Sequence, residues 1–81
     1  MNASENTAAP FVRQGRVAVI TWSNPPVNGI SFALRQHVSA GLDAAMADAD
    51  IDAIVLTGDG RMFSGGADIR EFNTPKSTAE P

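Results

Sequence analysis

The sequence predicts an α/β fold, and three observations carry that prediction. Two β-rich runs flank a glycine near the start, a stretch of helical period fills the middle, and a short apolar run then leads into consecutive small residues. Phe11-Val12-Arg13 and Val17-Ala18-Val19-Ile20-Thr21-Trp22 are rich in β-branched and aromatic side chains, and Gly15 between them supplies a turn, so a hairpin is expected. Ser23-Asn24-Pro25-Pro26 ends the second strand, because proline has no N–H to give to a ladder.

From Ser31 the period changes. Leu34, Val38, Gly41, Leu42, Ala45 and Ala49 recur at helical spacing, with Ser31 as N-cap of a helix of roughly four to five turns. Asp48 and Asp50 oppose the helix dipole and predict fraying at its end. Ala53-Ile54-Val55-Leu56-Thr57 reads as a buried strand, broken by Gly58-Asp59-Gly60. A small-residue loop from Phe63 to Ala67 follows, with Asp68 capping a helix that begins at Ile69. Residues 1–10 read as a disordered lead-in, Asn73 to Pro81 as a polar, turn-rich end, and 11–81 as one unit.

Composition narrows the function. In a chain of 81 residues, 43% hydrophobic and 19% charged residues are values of a globular protein. A net charge of -3 with no basic run argues against a nucleic-acid partner, and the apolar stretch Val17 to Ile20 is far too short to span a membrane. Met1 to Pro10 lacks the charge and apolar core of a signal peptide, so a cytoplasmic location is the default. There is no cysteine and a single histidine, His37, which reads as a surface residue, so no metal site is expected. The Asp48, Asp50 and Asp52 run lacks the glycine and distal glutamate of a calcium loop and reads as a turn. Trp22 and Phe32 are expected to pack under the sheet, and Met46 to fill the helix.

The segment with chemical potential is Phe63-Ser64-Gly65-Gly66-Ala67-Asp68-Ile69-Arg70-Glu71-Phe72. Small residues after a strand let a ligand approach the backbone, and amides at the start of a helix lack intrahelical acceptors. Two readings stand on the residues alone. One is a tight strand-to-helix turn capped by Asp68, which residue chemistry favours; the other is a cradle for a developing oxyanion. A P-loop is excluded because no Gly-Lys-Ser/Thr follows, and a dinucleotide fingerprint fails because Phe63 stands where a third glycine is needed.

The same segment resembles the Ala/Gly-Gly-Ala-Asp-Ile/Leu motif of the enoyl-CoA hydratase/isomerase (crotonase) family. Two further stretches resemble that family in matching order: Pro26-Val27-Asn28-Gly29-Ile30-Ser31 before the long helix, and the strand Ala53 to Gly58. Asn24-Pro25-Pro26-Val27-Asn28 together with Ala67 to Phe72 is similar to the hydratase portion of bifunctional enoyl-CoA hydratase/3-hydroxyacyl-CoA dehydrogenases. The resemblance implies the front portion of an incomplete crotonase-like (ββα) fold, with the remainder of that domain as its structural partner and homo-oligomer formation left open.

What the resemblance implies for single residues is specific. The Ala67 amide would be one of two oxyanion donors to an acyl-CoA thioester, and Asp68, Ile69 and Arg70 would line the CoA channel. Val27, Gly29 and Ile30 would line the CoA entrance, with Gly29 in place of the commoner alanine, and Gly66 would serve backbone geometry. No separate cofactor is implied, since coenzyme A is carried by the substrate. Glu71 reads as a solvated helix position. The family's two catalytic glutamates and second oxyanion amide lie downstream of the Gly-Ala-Asp motif, and Glu5, Glu71 and Glu80 do not match them. The expectation is a parent enoyl-CoA hydratase, a lyase of fatty acid β-oxidation, with these 81 residues inactive alone. Isomerase and thioester hydrolase fit the same motifs. An alternative from another class is a noncatalytic homologue that pairs with a partner through an exposed sheet edge.

Overall fold

The computed structural model describes residues 10–81, so all of the expected lead-in but Pro10 lies outside the described residues. Strands β1 (Val12–Gln14) and β2 (Val17–Trp22) form the expected hairpin, with Gln14 opposite Val17 across a two-residue turn in which Gly15 takes φ +60°. That left-handed conformation is where glycine has no steric penalty. Strand β3 (Ala53–Gly58) runs parallel to β2 on its other side, in register from Val17 opposite Ala53 to Trp22 opposite Gly58. The sheet is therefore mixed, in the order β1-β2-β3. A parallel neighbour requires a crossover, and helix α1 (Phe32–Met46) supplies it.

Alternation decides what is buried. Ala18, Ile20 and Trp22 project from one face of β2 and are 0%, 0% and 8% exposed, whereas Thr21 on the opposite face is open to solvent. Helix α1 lies over the first face with Leu34, Gly41 and Ala45 inward. Gly41 is required by a close approach: a Cβ there would stand 2.9 Å from Ile20 Cδ1 and 2.8 Å from the Pro10 carbonyl oxygen. Ser31 caps the helix by accepting from the Leu34 amide at 3.1 Å. The helix stops at Met46, short of Ala49, and Met46 is exposed rather than packed.

Several expectations need correction. β3 is not a buried strand, for Val55 is 45% and Leu56 38% exposed. The physical reason is that α1 is laid across β2, and among the described residues no further strand pairs with the free edge of β3. Fraying after the helix is opposed by ion pairs, since Asp48 meets Arg13 and Asp52 meets Arg16 (Nε to Oδ2, 2.5 Å). The Asp50 amide, which donates to Asp48, and the Arg13 guanidinium both hold the Asp48 carboxyl below its usual range, and Arg16 does the same for Asp52. The helix expected from Ile69 is a single 3₁₀ turn, Ile69–Glu71, ended by extended Phe72 and by Asn73 at φ +62°. A short helix α2 (Pro75–Thr78), capped by Thr74, interrupts the polar end.

His37 is half-buried, with Nε2 2.8 Å from the Thr21 carbonyl oxygen, so it ties α1 to β2 rather than standing free on the surface. Phe32 is half-buried too and carries the Arg35 guanidinium 5.8 Å above its ring. Among the described residues, no helix is long and apolar enough to cross a membrane, and no three metal-ligating side chains gather.

Candidate functional site

Two segments far apart in sequence lie side by side at the ends of β2 and β3. Residues 24–31 follow β2 and residues 63–71 follow β3, and because the two strands are parallel both loops leave from the same end of the sheet. Close contact between them needs small residues. A Cβ at Gly65 would sit 3.0 Å from Val27 Cγ2, and one at Gly29 3.2 Å from the Asp68 Cα. Gly29 is thus a point where the two segments lie close, and a Cβ there would require Asp68 to shift slightly.

The pairing is a short parallel ladder. The Gly65 amide donates to the Val27 carbonyl (2.7 Å), the Ile30 amide to the Gly66 carbonyl (2.7 Å), and the Asp68 amide to the Ile30 carbonyl (3.2 Å). Ile30 and Ala67 form the bridge between the segments. This ladder fixes the direction of one exposed donor. In a trans peptide the C=O and the next N–H point opposite ways. The peptide between Gly66 and Ala67 is trans, and its carbonyl is turned toward Ile30, so the Ala67 N–H is turned away from it. Among the described residues that N–H has no hydrogen-bond acceptor. Gly66, at φ +108°, provides a backbone conformation that L side chains rarely adopt.

A buried asparagine holds the first loop. Asn28 is 4% exposed with φ +52°, a left-handed conformation that asparagine tolerates better than most. Its Oδ1 accepts from the Asn24 amide (2.9 Å), and its Nδ2 donates to the carbonyls of Asp59 (3.0 Å) and Met62 (2.7 Å). Trp22 anchors the second loop, donating from Nε1 to the Phe63 carbonyl at 2.7 Å with the two rings 4.6 Å apart.

Asp68 does what its capping chemistry predicts and more. Its Oδ1 accepts from the Arg70 amide at 3.0 Å. The Arg70 guanidinium bonds both carboxylate oxygens (2.8 and 2.7 Å), while Asn24 donates to Oδ2 at 3.0 Å. Hydrogen bonds from Arg70 first and Asn24 second hold the Asp68 carboxyl far below the usual carboxylate range. Arg70 is in turn occupied by Asp68 and by Asn24 Oδ1 (3.1 Å), although its side chain is still 64% exposed. Glu71 is not a solvated helix position, for its Oε1 accepts from the Phe32 amide at 2.8 Å. That amide opens α1 and has no intrahelical acceptor, which is why a carboxylate settles there.

Of the residues singled out from sequence, Asp68 and Arg70 line a cleft of about 610 Å³ together with Asn24, Ser31, Glu71 and Lys76. Ile30 lines a separate apolar cleft of about 240 Å³ with Trp22, Leu34 and Leu42. Val27, Ala67 and Ile69 are exposed and belong to neither. Sequence reasoning gave no role to Asn24 and Asn28 and misread Glu71 as solvated. A polar residue beside a double proline and an Asn-Gly pair are turn signals that mark the first two, whereas only the folded chain brings Glu71 to the mouth of α1.

These features define a class: a βαβ unit whose two strand-end loops meet in a short parallel ladder that leaves the Ala67 amide, among the described residues, without an acceptor. Comparison with known proteins gives the family. Residues 12–80 match the enoyl-CoA hydratase/isomerase family, and the chain belongs to it. It is 48% identical over 59 residues to a peroxisomal bifunctional enzyme of Danio rerio, a match covering 73% of this chain and 8% of that protein. It is 42% identical over 64 residues to a probable enoyl-CoA hydratase of Bacillus subtilis (strain 168), covering 79% and 25%. A peroxisomal fatty acid beta-oxidation multifunctional protein of Arabidopsis thaliana, MFP2, is 46% identical over 56 residues, covering 69% and 8%. The matched stretch is thus a quarter or less of the length of these relatives.

Proposed function

We propose that this chain is part of an enoyl-CoA hydratase that acts on acyl-CoA thioesters in fatty acid β-oxidation, and that it contributes the Ala67 amide as one oxyanion donor. The observation that carries the proposal is the Ala67 N–H, which has no partner among the described residues and is aimed by the pinned Gly66 carbonyl. A backbone donor of this kind is oriented before the reaction begins, and one such donor contributes about 3–4 kcal/mol in a transition state where charge grows on the carbonyl oxygen. In this reading Val27, Gly29 and Ile30 on one loop and Gly66, Asp68, Ile69 and Arg70 on the other form part of the CoA site, with coenzyme A arriving on the substrate and no separate cofactor.

The chain alone is proposed to be inactive as a hydratase. Hydration needs an acid and a base on one water, a contribution of about 10²–10⁴-fold. Glu71 is committed to the Phe32 amide and Glu80 is exposed, so neither is paired with a second carboxylate across a substrate.

Titration of the ¹⁵N-labelled chain with crotonoyl-CoA tests both parts. Saturable shifts at the amides of residues 63–70, without loss of the enoyl absorbance, are the expected result. Shifts confined to other regions would refute the site, and steady hydration would refute the inactivity.

A further inference from the structure

We infer that Ser64 is the positioning residue that aims the Ala67 amide; this rests on the oxyanion reading above and extends it to a side chain that touches no substrate. The Ser64 hydroxyl donates to the Asn28 carbonyl at 2.8 Å and accepts from the Gly66 amide at 3.0 Å. A hydroxyl has one proton and free lone pairs, so it fills both roles at once. It thereby substitutes for a rung of the ladder that the backbone itself does not make. The rungs on either side are direct, from the Gly65 amide to the Val27 carbonyl and from the Ile30 amide to the Gly66 carbonyl.

Gly66 is consequently held at both ends, its N–H by Ser64 Oγ and its carbonyl by Ile30. Two ends are needed because φ +108° is otherwise only one of many conformations open to glycine. A single hydrogen bond at the Gly66 carbonyl still leaves the Gly66–Ala67 plane free to swivel about its C=O axis, which displaces the Ala67 nitrogen. By holding the preceding peptide plane, Ser64 fixes φ of Gly66 and limits that swivel. The other end of the relay is also fixed, since the Asn28 carbonyl belongs to a buried residue whose side chain makes three hydrogen bonds. Ser64 therefore transmits the rigidity of the Asn28 turn to the peptide that presents Ala67.

The experiment uses the 81-residue chain and its Ser64→Ala and Ser64→Thr forms, with β2 amide dispersion as the control for folding. In the absence of ligand, Ser64→Ala is expected to speed Gly66 amide exchange by about five- to tenfold, as for loss of one modest hydrogen bond, and to move the Ala67 amide resonance. Ser64→Thr, which keeps the hydroxyl, is expected to restore both. With crotonoyl-CoA carrying ¹³C at the thioester carbonyl, the parent chain should shift that carbon downfield, and Ser64→Ala should lose the shift while CoA-dependent changes at Arg70 persist. Unchanged Gly66 and Ala67 amides in Ser64→Ala would overturn the positioning role and leave the oxyanion reading standing. Absence of any carbonyl shift with the parent chain would overturn the oxyanion reading, and the positioning role with it. Failure of a folded Ser64→Thr form to restore the amides would also overturn the role of the hydroxyl.

Discussion

Replacing Asn28 with aspartate isolates one physical variable. The two side chains have nearly the same shape, and both tolerate the φ of +52° found here, so the backbone is not the issue. The change removes the Nδ2 donor that serves the carbonyls of Asp59 and Met62 and puts an acceptor opposite both. The two lost bonds cost about 1–2 kcal/mol together, and a carboxylate left unsatisfied at a position only 4% exposed adds about 1–2 kcal/mol more, so N28D should lose about 2–4 kcal/mol. On the usual per-residue scale an 81-residue chain has about 4–12 kcal/mol in total, so the loss is a large share. In urea, with m of about 1.3 kcal/mol/M, the midpoint should fall by roughly 1.5–3 M. The single tryptophan reports this directly, because the Trp22 ring lies against Phe63 of the adjoining loop, tilted 51° to it.

The pH dependence supplies a second check on N28D. A buried carboxyl facing two carbonyls favours its neutral form, so its folded pKa lies above its unfolded one. The penalty is then full above the folded pKa and shrinks as pH falls through it, when the new O–H can donate to one carbonyl. The difference between N28D and the parent should narrow toward acid pH. A midpoint within 0.5 M of the parent at pH 7, with no narrowing in acid, would refute the account of the Asn28 network.

Asp68 has a folded pKa below its unfolded one, so its stabilising contribution is complete above the usual carboxylate range and is lost as pH falls through and below that range. Asp68→Asn should therefore flatten the acid limb of a urea-midpoint profile measured between pH 6 and pH 2, and an unaltered limb would remove Asp68 from the explanation. Gly58→Ala places a Cβ 2.7 Å from the carbonyl oxygens of Met62 and Phe63, and should destabilise the chain by about 1–3 kcal/mol in thermal unfolding. Ile20→Ala, at a position fully buried beneath α1, should cost about 2–5 kcal/mol, read from the same melts. Glu71→Ala should leave the Phe32 amide without its acceptor and speed its exchange, whereas Glu71→Gln, whose side-chain oxygen still accepts, should change it little.

The sequence by itself determined the elements whose cause is local. Gly15 set the hairpin turn, the two prolines after Asn24 stopped β2, and Ser31 started α1, because each acts on backbone atoms within a few residues of itself. The motif from Phe63 to Ile69 likewise pointed to Ala67 and to the family that the comparisons bear out. Only the tertiary structure decided how the two loops meet. Period and propensity do not say that Ile30 pairs with Ala67, that Glu71 reaches the Phe32 amide, or that β3 presents Val55 and Leu56 to solvent. Those outcomes depend on which face α1 covers, set by contacts such as Gly41 against Ile20, and on the parallel register of β2 with β3, which pairs residues more than thirty positions apart. Ser64 shows the difference most plainly: in the sequence it is one small residue in a turn, and in the fold it is the single hydroxyl joining the Asn28 carbonyl to the Gly66 amide.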